Sequence, residues 1–219
     1  MIPPILIWTT PQAEEMILYI ARVSSNQANS DPGLLRYLIR NKHWSPFEMA
    51  SMCIEINTSR AIAQQILRHR SFSFQEFSQR YATVSSAPLL HEARMRGATN
   101  RQSSLPADNE NVASWWTNAQ REVFDLATRK YQEAVDAGIA NEVARFILPL
   151  ATPTKLYMAG TLRSWVHYLE QRTDEHTQAE HREIALSIAD IFVDQFPTIA
   201  EALDMSTNPV AADTSDGKR

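Results

Sequence analysis

The sequence predicts an α+β fold in a single domain, and three observations carry that expectation. The chain has 219 residues with 44% hydrophobic content, enough for one sizeable core and a poor match for two small domains. Its β-prone runs are scattered among helical segments without regular βαβ alternation, which separates α+β from α/β architecture. No repeat, low-complexity tract or linker divides the chain. Residues 1–204 are therefore expected to form the domain, with a small, polar, disordered tail over 205–219.

The elements follow in order. Ile5-Leu6-Ile7-Trp8 is a short strand ending at Thr9-Thr10-Pro11, where Thr as cap and Pro in the first turn start a helix running to about Val23. Met16, Ile17, Ile20 and Val23 recur on its inner face. Asp31-Pro32 opens a second helix carrying Leu34, Leu35, Leu38 and Ile39, and His43 to Glu48 form a polar turn. From Ala50 to Asn57, Met52, Ile54 and Ile56 alternate with Ser51, Cys53, Glu55 and Asn57, the pattern of a half-buried strand. Thr58 or Ser59 caps the next helix, which carries Gln65 and Arg68 at its end. Residues 95–111, rich in Arg, Asn, Ser, Gly and Pro, form a long loop. A long helix spans about Ala113 to Ala137 and stops at Gly138. A further helix ends at Leu148-Pro149, a strand covers Thr152 to Met158, and a helix covers Leu162 to Gln171. The last helix, Thr177 to Phe196, turns Ile184, Ile188, Ile191 and Phe196 inward.

Composition narrows the function classes. A net charge of −4 and a pI near 5.9 argue against a general nucleic-acid coat, so any positive charge that matters is local. One cysteine excludes an internal disulfide and suits a reducing compartment. No apolar run is long enough for a bilayer, and the Met1-Ile2-Pro3-Pro4 start has no signal-peptide character, so a soluble cytoplasmic protein is expected.

Local positive charge is concentrated between residues 68 and 82, in Arg68-His69-Arg70-Ser71-Phe72-Ser73-Phe74-Gln75-Glu76-Phe77-Ser78-Gln79-Arg80-Tyr81-Ala82. Three guanidinium forks, an imidazole, a carboxylate and several hydroxyls suit an anionic, planar, hydrogen-bonding ligand such as a nucleotide. Taken alone, Arg68 to Arg70 also fit a basic helix C-terminus complementing the macrodipole. Gln65, three residues before Arg68, is either a solvated position or part of the same face. Arg163 and His167 share a helix face one turn apart, suited to gripping one ligand. Arg172 suits a helix end as readily as a site. Glu175-His176 and Glu180-His181-Arg182 lack zinc spacing, and no metal is assigned. Cys53 has no adjacent base to activate it and is expected to take no catalytic part. Two other classes stay open: a non-catalytic nucleotide sensor, and an RNA-binding platform of arginines with Phe72, Phe74 and Phe77, which the acidic total charge disfavours.

The spacing R-H-R, seven residues, then Ser, with Glu76 two before Ser78 and Arg80 two after it, resembles the signature of the flavin-dependent thymidylate synthases. Four further segments resemble that family in the same order. They are His43-Trp44-Ser45-Pro46-Phe47-Glu48, Ala144-Arg145-Phe146-Ile147-Leu148-Pro149, Thr161-Leu162-Arg163-Ser164-Trp165-Val166-His167-Tyr168-Leu169, and Leu169-Glu170-Gln171-Arg172-Thr173. Met49 stands where many members have His, and Thr161 where Asn is common.

The resemblance implies a family fold, an antiparallel sheet flanked by helices, and a family reaction. Deoxyuridine monophosphate (dUMP) is methylated at C5 with 5,10-methylenetetrahydrofolate as one-carbon donor and FAD reduced by NADPH, giving dTMP and tetrahydrofolate. By the same resemblance His43, Ser45, Glu48, Arg68, His69, Arg70, Glu76, Thr161, Arg163 and His167 contact the flavin. Gln65, Arg68, Glu76, Phe77, Ser78, Gln79, Arg80 and Arg145 hold the nucleotide. Arg172 binds it too and is the activating residue, its cation stabilising charge that develops on the uracil. A homotetramer with active sites shared between subunits is also implied, with neither nucleic acid nor membrane as a partner.

Overall fold

A computed structural model of the protein describes residues 2–23, 33–97 and 104–205. The expected start of the second helix at Asp31-Pro32 and all but the first residue of the expected tail lie outside the described residues. The α+β expectation with its small antiparallel sheet holds. A four-stranded sheet has the order β1-β2-β6-β3, with β1 Ile5–Thr9, β2 Ser51–Ser59, β3 Ser73–Glu76 and β6 Pro153–Thr161. β1 lies antiparallel to β2, pairing Ile5 with Glu55 and Leu6 with Ile54, and the register shifts between Leu6 and Trp8.

Two compact units divide the chain. The first contains Ile56–Arg70 and Phe74–Tyr157; the second contains Pro3–Glu55, Ser71–Ser73 and the chain from Met158 on. β2 and β6 each run from one unit into the other, and each passes directly into a helix. Ser59 ends β2 and caps α3 (Arg60–Ile66) by accepting from the Ile62 N–H at 3.4 Å. Thr161 ends β6 and caps α6 (Leu162–Arg172) by accepting from the Ser164 N–H at 3.3 Å. Both are extended β-hydroxy residues, as an N-cap requires.

In the first unit the dominant element is α4 (Glu110–Asp136). Asn109 caps it, and its chain leaves through Gly138 at φ 83°, a left-handed stop that glycine takes without penalty. Helix α4 holds the segment before it: Tyr131 Oη accepts from the Val84 N–H, and the Gln120 amide bonds both backbone groups of His91. The short helix α5 (Asn141–Ala144) and a 3-10 turn over Arg145–Ile147 pack on α4. The expected 95–111 loop is instead bounded by two antiparallel strands, β4 (Arg94–Arg96) and β5 (Ser104–Pro106), and α4 begins within its last residues.

The second unit is mostly helical: α1 (Ala13–Ile20), α2 (Gly33–Arg40), α6, α7 (Ala179–Gln195) and α8 (Pro197–Ala202). Its core is Ile17, Leu35, Phe47, Met52, Ile54, Trp165, Tyr168, Ile184, Ile188, Phe192, Phe196 and Ile199, each within 1% of full burial. Three expectations change here. Helix α1 starts at Ala13 because Gln12 adopts a left-handed conformation (φ 49°), and it stops before Val23, which is 89% exposed. Phe192 turns inward fully where Ile191 was expected; Ile191 is only partly buried. Strand β2 is buried on both faces, with Cys53 at 7% and Glu55 at 8% exposure, rather than on one face as alternation alone predicts.

Candidate active site

Each unit holds its own share of the candidate residues. In the first unit, α3 buries Ile62, Ala63 and Ile66 and leaves Gln65 half-buried in its last turn. The helix ends there. Arg68 lies in the following turn, its N–H reaching Gln65 O at 3.3 Å, so it is not on a helical face with Gln65 as expected. Arg68 and Arg70 are exposed and His69 is half-buried. Among the described residues no carboxylate pairs with Arg68 or Arg70, so both forks are available to a ligand.

Glu76, the last residue of β3, is already engaged. Its Oε1 accepts from Arg60 Nη1 at 2.7 Å and from Thr154 Oγ1 at 2.9 Å. Neither partner stood out in the sequence. Arg60 carried one signal: a cation in the first turn of a helix opposes the macrodipole and calls for a nearby carboxylate. Beyond Glu76 the chain is tied by the Phe77 N–H to Lys155 O at 2.8 Å and then turns, with Tyr81 N–H and Ala82 N–H both bonded to Ser78 O. Gln79 sits in this turn at 5% exposure, and its Nε2 has no hydrogen-bond partner among the described residues. A buried unsatisfied donor is costly, and a ligand acceptor relieves it.

Arg80 and Arg145 converge on Glu142 of α5. Arg80 Nε lies 3.6 Å from the Glu142 carboxylate, while Arg145 Nε donates to the Glu142 carbonyl at 3.3 Å. Glu142 is a further residue that sequence reasoning missed, since nothing in its local pattern marks it. The Arg80 pair is more than half exposed on both sides and therefore weak and exchangeable.

In the second unit, His43 follows α2 with its N–H on Leu38 O at 2.8 Å and its ring edge-on to Tyr37. A 3-10 turn over Ser45–Glu48 buries Phe47 completely and leaves Ser45 and Glu48 exposed. Glu48 is bound by Arg163 of α6, so two residues expected at the flavin meet each other. Arg163 and His167 are both exposed on one face of α6, as expected. The Thr161 hydroxyl serves as the α6 cap and donates to Ser164 Oγ, which donates onward to Ser71 O at 3.3 Å. Arg172 is the last residue of α6 and half-buried. One turn earlier, Tyr168 is fully buried with its hydroxyl 3.2 Å from His181 Nε2. Burial pushes the Tyr168 phenol far up, and the Arg172 charge opposes that shift. Cys53 is buried, and desolvation raises its thiol, which keeps it protonated and unreactive.

A family model described as thymidylate synthase complementing protein matches residues 5–198. A probable flavin-dependent thymidylate synthase of Paramecium bursaria Chlorella virus 1 is 53% identical over 196 residues, covering 88% of this chain and 91% of the viral protein. The chain belongs to the flavin-dependent thymidylate synthase family. It is thus an enzyme of the methyltransferase class that this family forms. Another family member, the flavin-dependent thymidylate synthase of Synechocystis, is 51% identical over 205 residues, covering 92% of this chain and 95% of that protein. Among solved structures, the UMP/dUMP methylase PolB of Streptomyces cacaoi bound with 5-Br UMP superposes with TM-score 0.82 at 27% identity, covering 91% of this chain and 92% of that one. The same methylase bound with 5-Br dUMP also gives 0.82.

Proposed function

We propose that the protein methylates dUMP at C5, taking the carbon from 5,10-methylenetetrahydrofolate with FAD reduced by NADPH, and releases dTMP and tetrahydrofolate. The observation that carries this reading is the 68–80 stretch. Among the described residues it presents two exposed guanidinium forks without a carboxylate partner and a buried amide without an acceptor, in a chain of net charge −4. The names of the family relatives and the bromouridine nucleotides held by the solved neighbour support the same substrate class.

The donor set fits a flavin dinucleotide. Arg68 and Arg70 offer forks for its phosphates, while His43, Ser45, His69, Arg163 and His167 offer donors for its ring and ribose, with Glu48, Glu76 and Thr161 alongside. Bound flavin supplies hydride and mediates the carbon transfer. The protein's own groups bind and polarise. Arg80 and Arg145 receive the nucleotide with Gln65, Arg68, Phe77, Ser78 and Gln79, and the nucleotide's phosphate displaces the weakly held Glu142 from Arg80. The role of the Arg172 guanidinium is to stabilise charge developing on the uracil. Cys53 takes no part.

Residues 1–204 act as the catalytic domain of a cytoplasmic homotetramer whose sites combine residues from neighbouring chains. No helix among the described residues is long and apolar enough to cross a membrane. The deciding measurement is tritium release from 5-labelled dUMP. Release that requires FAD, folate donor and reductant is expected; nucleotide binding without release would leave a sensor instead.

A further inference from the structure

Gly160 sits in β6 near its end, where a glycine weakens a strand and needs a reason. Its backbone is not in the left-handed region, so conformation supplies none. Space does. A Cβ built at Gly160 falls 2.4 Å from Phe72 Cδ1 and 2.7 Å from Cε1, closer than carbon atoms approach. The Phe72 ring cannot step aside. It is 92% buried, edge-on to Trp165 at 4.8 Å and to Tyr168 at 6.0 Å. The residue before it is held as well, because Ser164 Oγ donates to the Ser71 carbonyl.

The same turn of chain, 160–165, holds a second segment expected at the flavin. The Leu162 N–H bonds Ala50 O, Trp165 Nε1 donates to Met52 O at 3.0 Å, and Arg163 binds Glu48. Phe72 lies two residues after Arg70 and four before Glu76. Its ring therefore fixes the chain at one point inside the fifteen-residue motif, a few bonds from the forks that need exact placement.

We propose that Phe72, seated on the bare backbone of Gly160, is a positioning residue for the flavin. This rests on the flavin reading above. Phe72 touches no reacting atom and acts by holding the turn that carries Arg68 to Arg70. Misplacement of a ligand-gripping group by about 1 Å is enough to cost up to about a hundredfold in function.

The test uses the full chain, with FAD affinity from absorbance titration and tryptic cleavage after Arg68 and Arg70 in ligand-free protein. Gly160→Ala is expected to weaken FAD by about tenfold and to speed cleavage at that turn, with helix content kept. Phe72→Leu should show the same pair of effects. In Gly160→Ala/Phe72→Leu the added methyl group meets a smaller side chain, so the combined loss should be less than the sum. If both single variants bind FAD within twofold of wild type while melting earlier, Phe72 is core packing only and the idea is wrong. Should Gly160→Ala fail to fold, Phe72→Leu alone decides by the same two readouts. A wild-type protein that binds no FAD overturns the flavin reading, and the cleavage rates then judge the anchor separately.

Discussion

Arg60 and Glu76 are joined at 2.7 Å, and Thr154 donates to the same carboxylate oxygen, so Oε1 of Glu76 is saturated while Oε2 carries no partner among the described residues. The carboxylate is thereby turned so that one oxygen is structural and the other is available. A residue expected only as a ligand contact is thus half committed to the scaffold.

Arg60→Met should destabilise the protein by about 1–3 kcal/mol, because it leaves a largely buried carboxylate with a hydroxyl as its one donor. It should also weaken nucleotide binding through the freed Glu76 side chain. Thermal melting and nucleotide titration check the two effects, and Arg60→Lys should recover part of the stability. A variant with unchanged melting would show that the pair contributes nothing in solution.

Arg172 and Arg145 should differ in kind. Arg172→Ala is expected to lower turnover at saturating nucleotide far more than affinity, since its cation matters most as charge develops. Arg145→Ala should mainly weaken nucleotide affinity. Lysine at 172 should rescue poorly, a point charge being no substitute for a planar fork. Near-normal saturated turnover in Arg172→Ala would transfer the activating role to Arg80.

Cys53→Ala should keep most activity. Its thiol is buried in β2 and held protonated by desolvation. Removal of the sulfur costs packing, on the order of 1 kcal/mol, and no chemistry. Loss of tritium release in folded, flavin-loaded protein would restore a thiolate mechanism.

Tyr168 should make stability fall at alkaline pH. Burial raises its phenol in the folded state above the unfolded value of about 10. Below that value both states keep the proton and nothing is lost. Above it the unfolded chain releases the proton first, so unfolding becomes easier as pH rises. Urea denaturation at pH 7 and near pH 10.5 should show the decline. Tyr168→Phe should flatten it while costing about 1–3 kcal/mol at neutral pH, because His181 loses its hydroxyl partner.

Legibility of the sequence followed the range of the forces involved. Ser59, one of two cap candidates, was legible because capping is local, and the strand pattern of Met52, Ile54 and Ile56 was sound because alternation is local; the Thr161 cap was not foreseen. The opposite face of β2 was misjudged, since the burial of Cys53 and Glu55 is set by tertiary packing that local alternation does not encode. Gln12 and the β4–β5 pair were missed for a similar reason: a left-handed residue and two three-residue strands leave little periodicity. In the candidate site, motif resemblance supplied Arg68 to Arg80, but Arg60, Thr154 and Glu142 act through partners 16, 78 and 62 residues away. No local spacing announces such pairs.

The direct passage of β2 into α3 and of β6 into α6 leaves no slack at either junction. One inserted residue upstream of Ser59 would exchange the two faces of the strand and rotate α3 by about 100°, carrying Arg60 away from Glu76. The same insertion before Thr161 would lift Gly160 from beneath Phe72. Changes in chain length are therefore excluded from these two corners, where this fold can drift in sequence but not in count.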